Sequence, residues 1–305
     1  MKRLDKEKNI DKNKILNRII YLILIFLIIL SSLYIAKSFV SKKEAEKDRD
    51  LLNSVDVEEE VTRIQKESNE NSGESNEKSN QSNSESDNEE IRSEEKSKEE
   101  IRREREAESI KRIAQVKKLK EEYKNIVGWI EIEDTHISYP VVQGKDNDFY
   151  LTHNYKGDNA ERGAIFLDSN YNWNIAGNNL MIYGHYMINN EMFTDLTKYI
   201  EEDFYKAHPT IRFTTADEDA EYNIIAVFRS KVYSKNDEDV FKYYNFMNSN
   251  SEKEYNNFIK NIKREAIYNI EETAEYGDEL ITLTTCSYYT EDGRFVVVGR
   301  KKVIE

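Results

Sequence analysis

The sequence predicts a mainly β domain carried behind an apolar helix and a long charged tract. Three observations lead there. From about Gln115 onward, aromatic and β-branched residues fall in short runs separated by turn residues, the pattern of closely spaced strands. Ile19 to Ala36 is eighteen residues without a charge, thirteen of them Leu, Ile or Phe, which suits one membrane span. Between the two, Ser41 to about Ala107 is dominated by Glu, Ser, Asn and Lys, with too little apolar surface to offset the entropy of ordering.

Residues 1–18 carry Lys2, Arg3, Lys6, Lys8, Lys12, Lys14 and Arg18. This basic flank places them in the cytoplasm, with everything after the span at residues 19–36 outside the cell membrane. The apolar residues of the span favour insertion by about 4 to 8 kcal/mol. A cleaved signal peptide fits less well, because the apolar run exceeds the usual core and no small-x-small site follows it. Residues 37–107 read as a charged low-complexity linker that, as a flexible coil, would span about 45 Å. Helix is favoured locally around Lys98 to Arg105 by Glu, Lys and Arg spacing, without a sustained apolar heptad.

The folded domain is expected from residue 108 to 305. Ile110, Ile113, Val116, Leu119 and Tyr123 recur at helical spacing, which predicts an amphipathic helix lying on the domain. Strands follow at Val127 to Ile132, Ile137 to Val142, Ala164 to Leu167, Leu180 to Tyr183, Thr210 to Thr214 and Glu221 to Val232. Helical pieces are expected at Met192 to Tyr199 and along Val240 to Tyr268, where Phe241, Tyr244, Tyr255, Phe258 and Ile262 are packing positions. A net charge of −14 without a basic stripe argues against nucleic acid as a partner.

The carboxy-terminal run holds the only cysteine. Alternation puts Ile281 and Leu283 on one face of a half-buried strand and Thr282, Thr284 and Cys286 on the other. Another strand runs from Arg294 to Gly299, and a hairpin turning at Glu-Asp-Gly brings Arg294 beside Cys286. A thiol acts as a nucleophile only as thiolate and needs a base, usually histidine. Of His136, His153, His185 and His208, the preferred one is His185, which follows an apolar strand and Gly184 at an open strand end. The others sit in loop-like surroundings.

At this point the chain resembles a family, the sortases, and within it class B. The resemblance covers about Leu119 to Val303 and rests on Val127-Gly128-Trp129-Ile130, Ile137 to Gln143, Gly163 to Asp168, Met181-Ile182-Tyr183-Gly184-His185, Met192-Phe193 and the Thr-Leu-Thr-Thr-Cys run ending at Cys286. It implies an eight-stranded sortase-type β-barrel with a long helix before the cysteine strand. It also implies a membrane-anchored cysteine transpeptidase of a Gram-positive bacterium, which cuts a sorting motif near the carboxy terminus of a secreted protein and joins the new end to a cell-wall amine. Carried over by position, Cys286 is the nucleophile, His185 the acid and base, and Arg294 the holder of substrate or oxyanion. Tyr288 and Tyr289 are candidates to line the substrate groove, whereas Thr284 and Thr285 mainly shape the strand end beside it. The chemistry needs neither metal nor cofactor, and the acidic run Asp237-Glu238-Asp239 reads as solvated surface. The alternatives are a catalytically silent tethered scaffold, or a sortase acting mainly as a hydrolase or a pilin polymerase.

Overall fold

The computed structural model describes residues 2–71, 87–175, 179–187, 189–249, 251–286 and 290–302. They fall into two compact units, residues 1–47 and residues 48–305. The first is most of helix α1 (Lys2–Asp50), whose stretch from Arg18 is long and apolar enough to cross a membrane.

The second unit is built on a closed barrel of eight strands: β1 (Ile126–Glu131), β2 (Ser138–Gln143), β3 (Ile165–Leu167), β4 (Asn179–Tyr183), β5 (Thr210–Thr214), β6 (Asp219–Lys231), β7 (Leu280–Cys286) and β8 (Gly293–Lys301). Around the barrel they run β1-β2-β3-β4-β7-β8-β6-β5, and β5 closes onto β1. The pairs β2–β3 and β4–β7 are parallel; the others are antiparallel. The predicted strands are all present, shifted by a residue or two at their ends.

Side chains alternate across each strand, and both faces find cover. Ile130, Val141, Ile182, Phe213, Val227, Ile281 and Leu283 fill the interior. Outside β4, β6, β7 and β8 lies a second cluster, in which Met181, Leu280, Val296 and Val298 meet Tyr243, Phe246, Tyr255, Phe258 and Ile262. β7 is therefore buried on both faces, where alternation predicts a half-buried strand. The covering layer comes from a distant segment, which strand periodicity does not register.

That segment holds a shorter helix than expected. Val240 to Tyr268 resolves into a 3-10 turn at Tyr243–Asn245 and helix α5 at Glu252–Glu265. Ser251 caps α5 by accepting the Glu254 N–H, and acidic residues at its start and basic ones at its end suit the helix dipole. All five expected packing positions join the outer cluster, with Tyr255, Phe258 and Ile262 fully buried; such a side chain contributes about 1.5 to 3 kcal/mol. Met192 to Tyr199 becomes a 3-10 helix at Thr194–Ile200, followed by the short helix α4 (Glu202–Ala207), which the sequence does not announce.

A third cluster lies under the amino-terminal elements. The described parts of the charged tract are largely helical: α1 runs on to Asp50, α2 spans Glu58–Asn71 and α3 spans Asp87–Glu122. Pairs one turn apart, Arg63 with Glu67 and Arg103 with Glu99, support these helices. Between them Leu52 is buried with Val116, Leu119, Trp129 and Tyr150. Arg162, itself buried, places Nη2 2.6 Å from the Asp48 carboxylate. The start of the expected linker thus packs on the barrel, because two leucines and a carboxylate find partners that lie far away in sequence.

Candidate active site

β4, β7 and β8 are neighbours, and their open ends carry the three candidate residues. In the β7–β8 hairpin Cys286 pairs directly with Arg294. On the other side of β7 the parallel ladder with β4 ends at Tyr183 opposite Thr284, and Gly184 extends it by donating its N–H to the Thr284 carbonyl (3.2 Å). Continued two steps past the Tyr183–Thr284 pair, this register would set His185 level with Cys286. Adjacent strands lie about 4.8 Å apart, the spacing at which Cys286 and Arg294 are paired. Gly184 is required there: a Cβ would come within 2.5 Å of Ile165 Cδ1 and 2.7 Å of the Phe193 ring.

The imidazole is fixed from the other side. His185 Nε2 lies 2.8 Å from the Leu151 carbonyl oxygen. A carbonyl only accepts, so Nε2 carries the hydrogen and Nδ1 has the free lone pair. The structure records no hydrogen bond between His185 and Cys286 among the described residues. Cys286 is partly exposed. Arg294 Nη1 donates to the carbonyls of Asp292 (3.2 Å) and Gly293 (2.9 Å). No carboxylate among the described residues pairs with Arg294, which leaves its other donors for a ligand.

Two tyrosines flank this row. The Tyr183 hydroxyl donates to Asp168 Oδ2 (2.9 Å), and burial with the Asp168 charge raises its pKa, which Arg294 partly offsets. The Tyr243 hydroxyl lies 2.8 Å from Thr284 Oγ1. Its pKa is raised by burial, against the lowering by Thr284 and Arg294. Asp168, also buried, accepts from Asn147 Nδ2 (2.9 Å) and from the Asn170 backbone (2.9 Å). Asp168 and Tyr183 are functional candidates that sequence reasoning named only as family motif. The available signal was a carboxylate and a phenol each closing an apolar strand.

Thr284 and Thr285 are both buried, and Thr285 Oγ1 has no hydrogen-bond partner among the described residues. Tyr288 and Tyr289 lie outside the described residues. The remaining histidines stand elsewhere: His136 on Asp195 (2.9 Å), His153 stacked on Phe149, and His208 against the Phe204 ring. A large cleft between α3 and the strands β5 and β6, lined by Lys98, Arg105, Glu131, Arg212 and Glu221, contains none of the candidate residues.

Residues 130–302 match the Sortase domain family. The chain belongs to the sortase family. Its named relatives place it in class B. It is 35% identical to sortase B of Listeria monocytogenes serovar 1/2a over 179 residues, which cover 58% of this chain and 70% of that protein. Sortase B of Staphylococcus aureus is 31% identical over 179 residues, with the same coverage of each chain. Among solved structures, the Staphylococcus aureus sortase B–substrate complex superposes with a TM-score of 0.55 at 28% identity, covering 63% of this chain and 86% of that one. Sortases are cysteine transpeptidases, and the eight-stranded barrel of this sortase domain is their fold.

Proposed function

We propose that this sortase is anchored in the membrane by residues 19–36, with residues 1–18 in the cytoplasm and the catalytic domain outside, and that it attaches secreted proteins to the cell wall. The observation that supports the mechanism is the direct pairing of Cys286 with Arg294 across β7 and β8, with His185 two residues beyond the end of the neighbouring β4. The Cys286 thiol passes its proton to His185, and the resulting thiolate attacks the carbonyl at the scissile bond of a carboxy-terminal sorting motif. Arg294 receives the negative charge that develops on that oxygen through its fork of N–H donors. His185 gives a proton to the departing amine, leaving a thioacyl enzyme. A cell-wall amine then attacks the thioester, loses its proton to His185, and releases Cys286 with a new amide bond formed. In this reading the folded unit takes in residues 48–57, ahead of the boundary expected at residue 108, and the rest of the tract is the linker.

The test uses the full chain in detergent, a library of quenched sorting-motif peptides, and mass spectrometry with and without an added amine. The expected result is a thioacyl adduct on Cys286, absent in Cys286→Ala and converted to an amide by the amine. Cleavage without amide would move the reading to a hydrolase. No adduct with any peptide, from folded protein, would move it to a silent scaffold.

A further inference from the structure

His185 opens a tight loop that returns at Phe193, whose N–H donates to the His185 carbonyl (3.0 Å). Just before the return, Tyr186 and Met192 form an isolated bridge. Met192 has a φ of 56°, a left-handed conformation that costs a residue with a Cβ and persists only when its surroundings enforce it. Its side chain is buried in the barrel interior. Its N–H donates to the hydroxyl of Tyr139 on β2 (3.1 Å). The same hydroxyl receives Arg49 Nη1 at 3.5 Å. The Tyr139 ring packs in the interior with Met192 and Phe193, where phenylalanine would fill the same space; what phenylalanine lacks is the hydroxyl that accepts the Met192 N–H.

We propose that Tyr139 is a positioning residue for His185: its hydroxyl holds Met192 in the left-handed turn that closes the loop and so aims the imidazole along the row toward Cys286. The inference rests on the role given to His185 above. Arg49, from the end of α1, steadies the hydroxyl. Burial raises the pKa of Tyr139, which the Met192 N–H and Arg49 partly offset, and the bonds to both put the hydroxyl where the loop and the end of α1 meet.

The test compares the full chain in detergent with Tyr139→Phe and His185→Ala, by two readouts that a merely structural role would not move. One is the downfield proton resonance of the His185 Nε2–H held by the Leu151 carbonyl, assigned by its loss in His185→Ala. The other is the rate at which iodoacetamide alkylates Cys286, the only cysteine. In Tyr139→Phe the protein still unfolds cooperatively, the N–H resonance is lost to water exchange, and alkylation changes in the direction seen for His185→Ala. The change is about two- to tenfold, the range that one neutral hydrogen bond allows. A resonance and a rate that both match wild type overturn the proposal. Should Tyr139→Phe fail to fold, Arg49→Met must weaken the same resonance, and an unchanged one overturns it. If His185→Ala itself leaves alkylation unchanged, the pairing behind the proposed function fails, and the N–H resonance alone decides the part played by Tyr139.

Discussion

Starting the chain at residue 108, where composition places the domain boundary, is expected to cost most of its stability. Two losses dominate. Without Asp48 the buried Arg162 guanidinium loses its carboxylate partner at 2.6 Å, and breaking a buried pair from one side costs about 3 to 5 kcal/mol. Without Leu52 the surface of Trp129, Tyr150 and Leu119 is uncovered, and burial of such a side chain contributes about 1.5 to 3 kcal/mol. The half-exposed Lys117–Glu60 pair adds about 1 kcal/mol at most. Together these come to about 5 to 8 kcal/mol, against about 5 to 15 kcal/mol for a whole domain. Urea titration of residues 48–305 and 108–305, followed by circular dichroism, measures the difference. The longer chain is expected to unfold cooperatively and the shorter to be largely unfolded before urea is added. Asp48→Asn in the longer chain isolates the ion pair. Equal midpoints for the two chains would refute the docking of residues 48–57.

Two further substitutions probe the seam beneath α3 and the site. The Asp219 side chain is almost wholly covered, accepts from Arg212 Nη2 (2.6 Å) and Thr214 Oγ1 (2.6 Å), and faces Arg112; burial alone would raise its pKa, but these partners outweigh it and lower it. Its folded pKa lies below the unfolded one, so its contribution is complete above about pH 4 and is lost as pH falls through the folded value. Asp219→Asn should lower the melting temperature at neutral pH and flatten the acid loss of stability, read by thermal scans at several pH values; parallel profiles would count against the network. Arg294→Lys keeps the charge but not the fork. It should reduce turnover about 100-fold or more with little change in melting temperature, since among the described residues Arg294 hydrogen-bonds only to its own turn; retained turnover would remove Arg294 from the oxyanion role.

What was legible in the sequence was local. Turn residues between Cys286 and Arg294 gave a hairpin whose register proved to pair these two residues directly. The level placement of His185 was not legible, because it depends on a parallel pairing of β4 with β7 across a long stretch of chain. The cover over Thr282 and Thr284 was hidden for the same reason: it arrives from Tyr243 and its neighbours. Residues 48–57 misled because short apolar pairs in a charged tract look like a linker until a receiving surface is known.

The parallel β4–β7 pairing has a consequence for how the protein comes to be. Asn179 and Thr282, joined by a 2.8 Å hydrogen bond, are 103 positions apart. Contacts so distant along the chain form late and slowly, after the loop between them has been closed. A chain that has not yet closed the barrel therefore holds Cys286 and His185 apart, and the two come to neighbouring strand ends only when β7 docks beside β4.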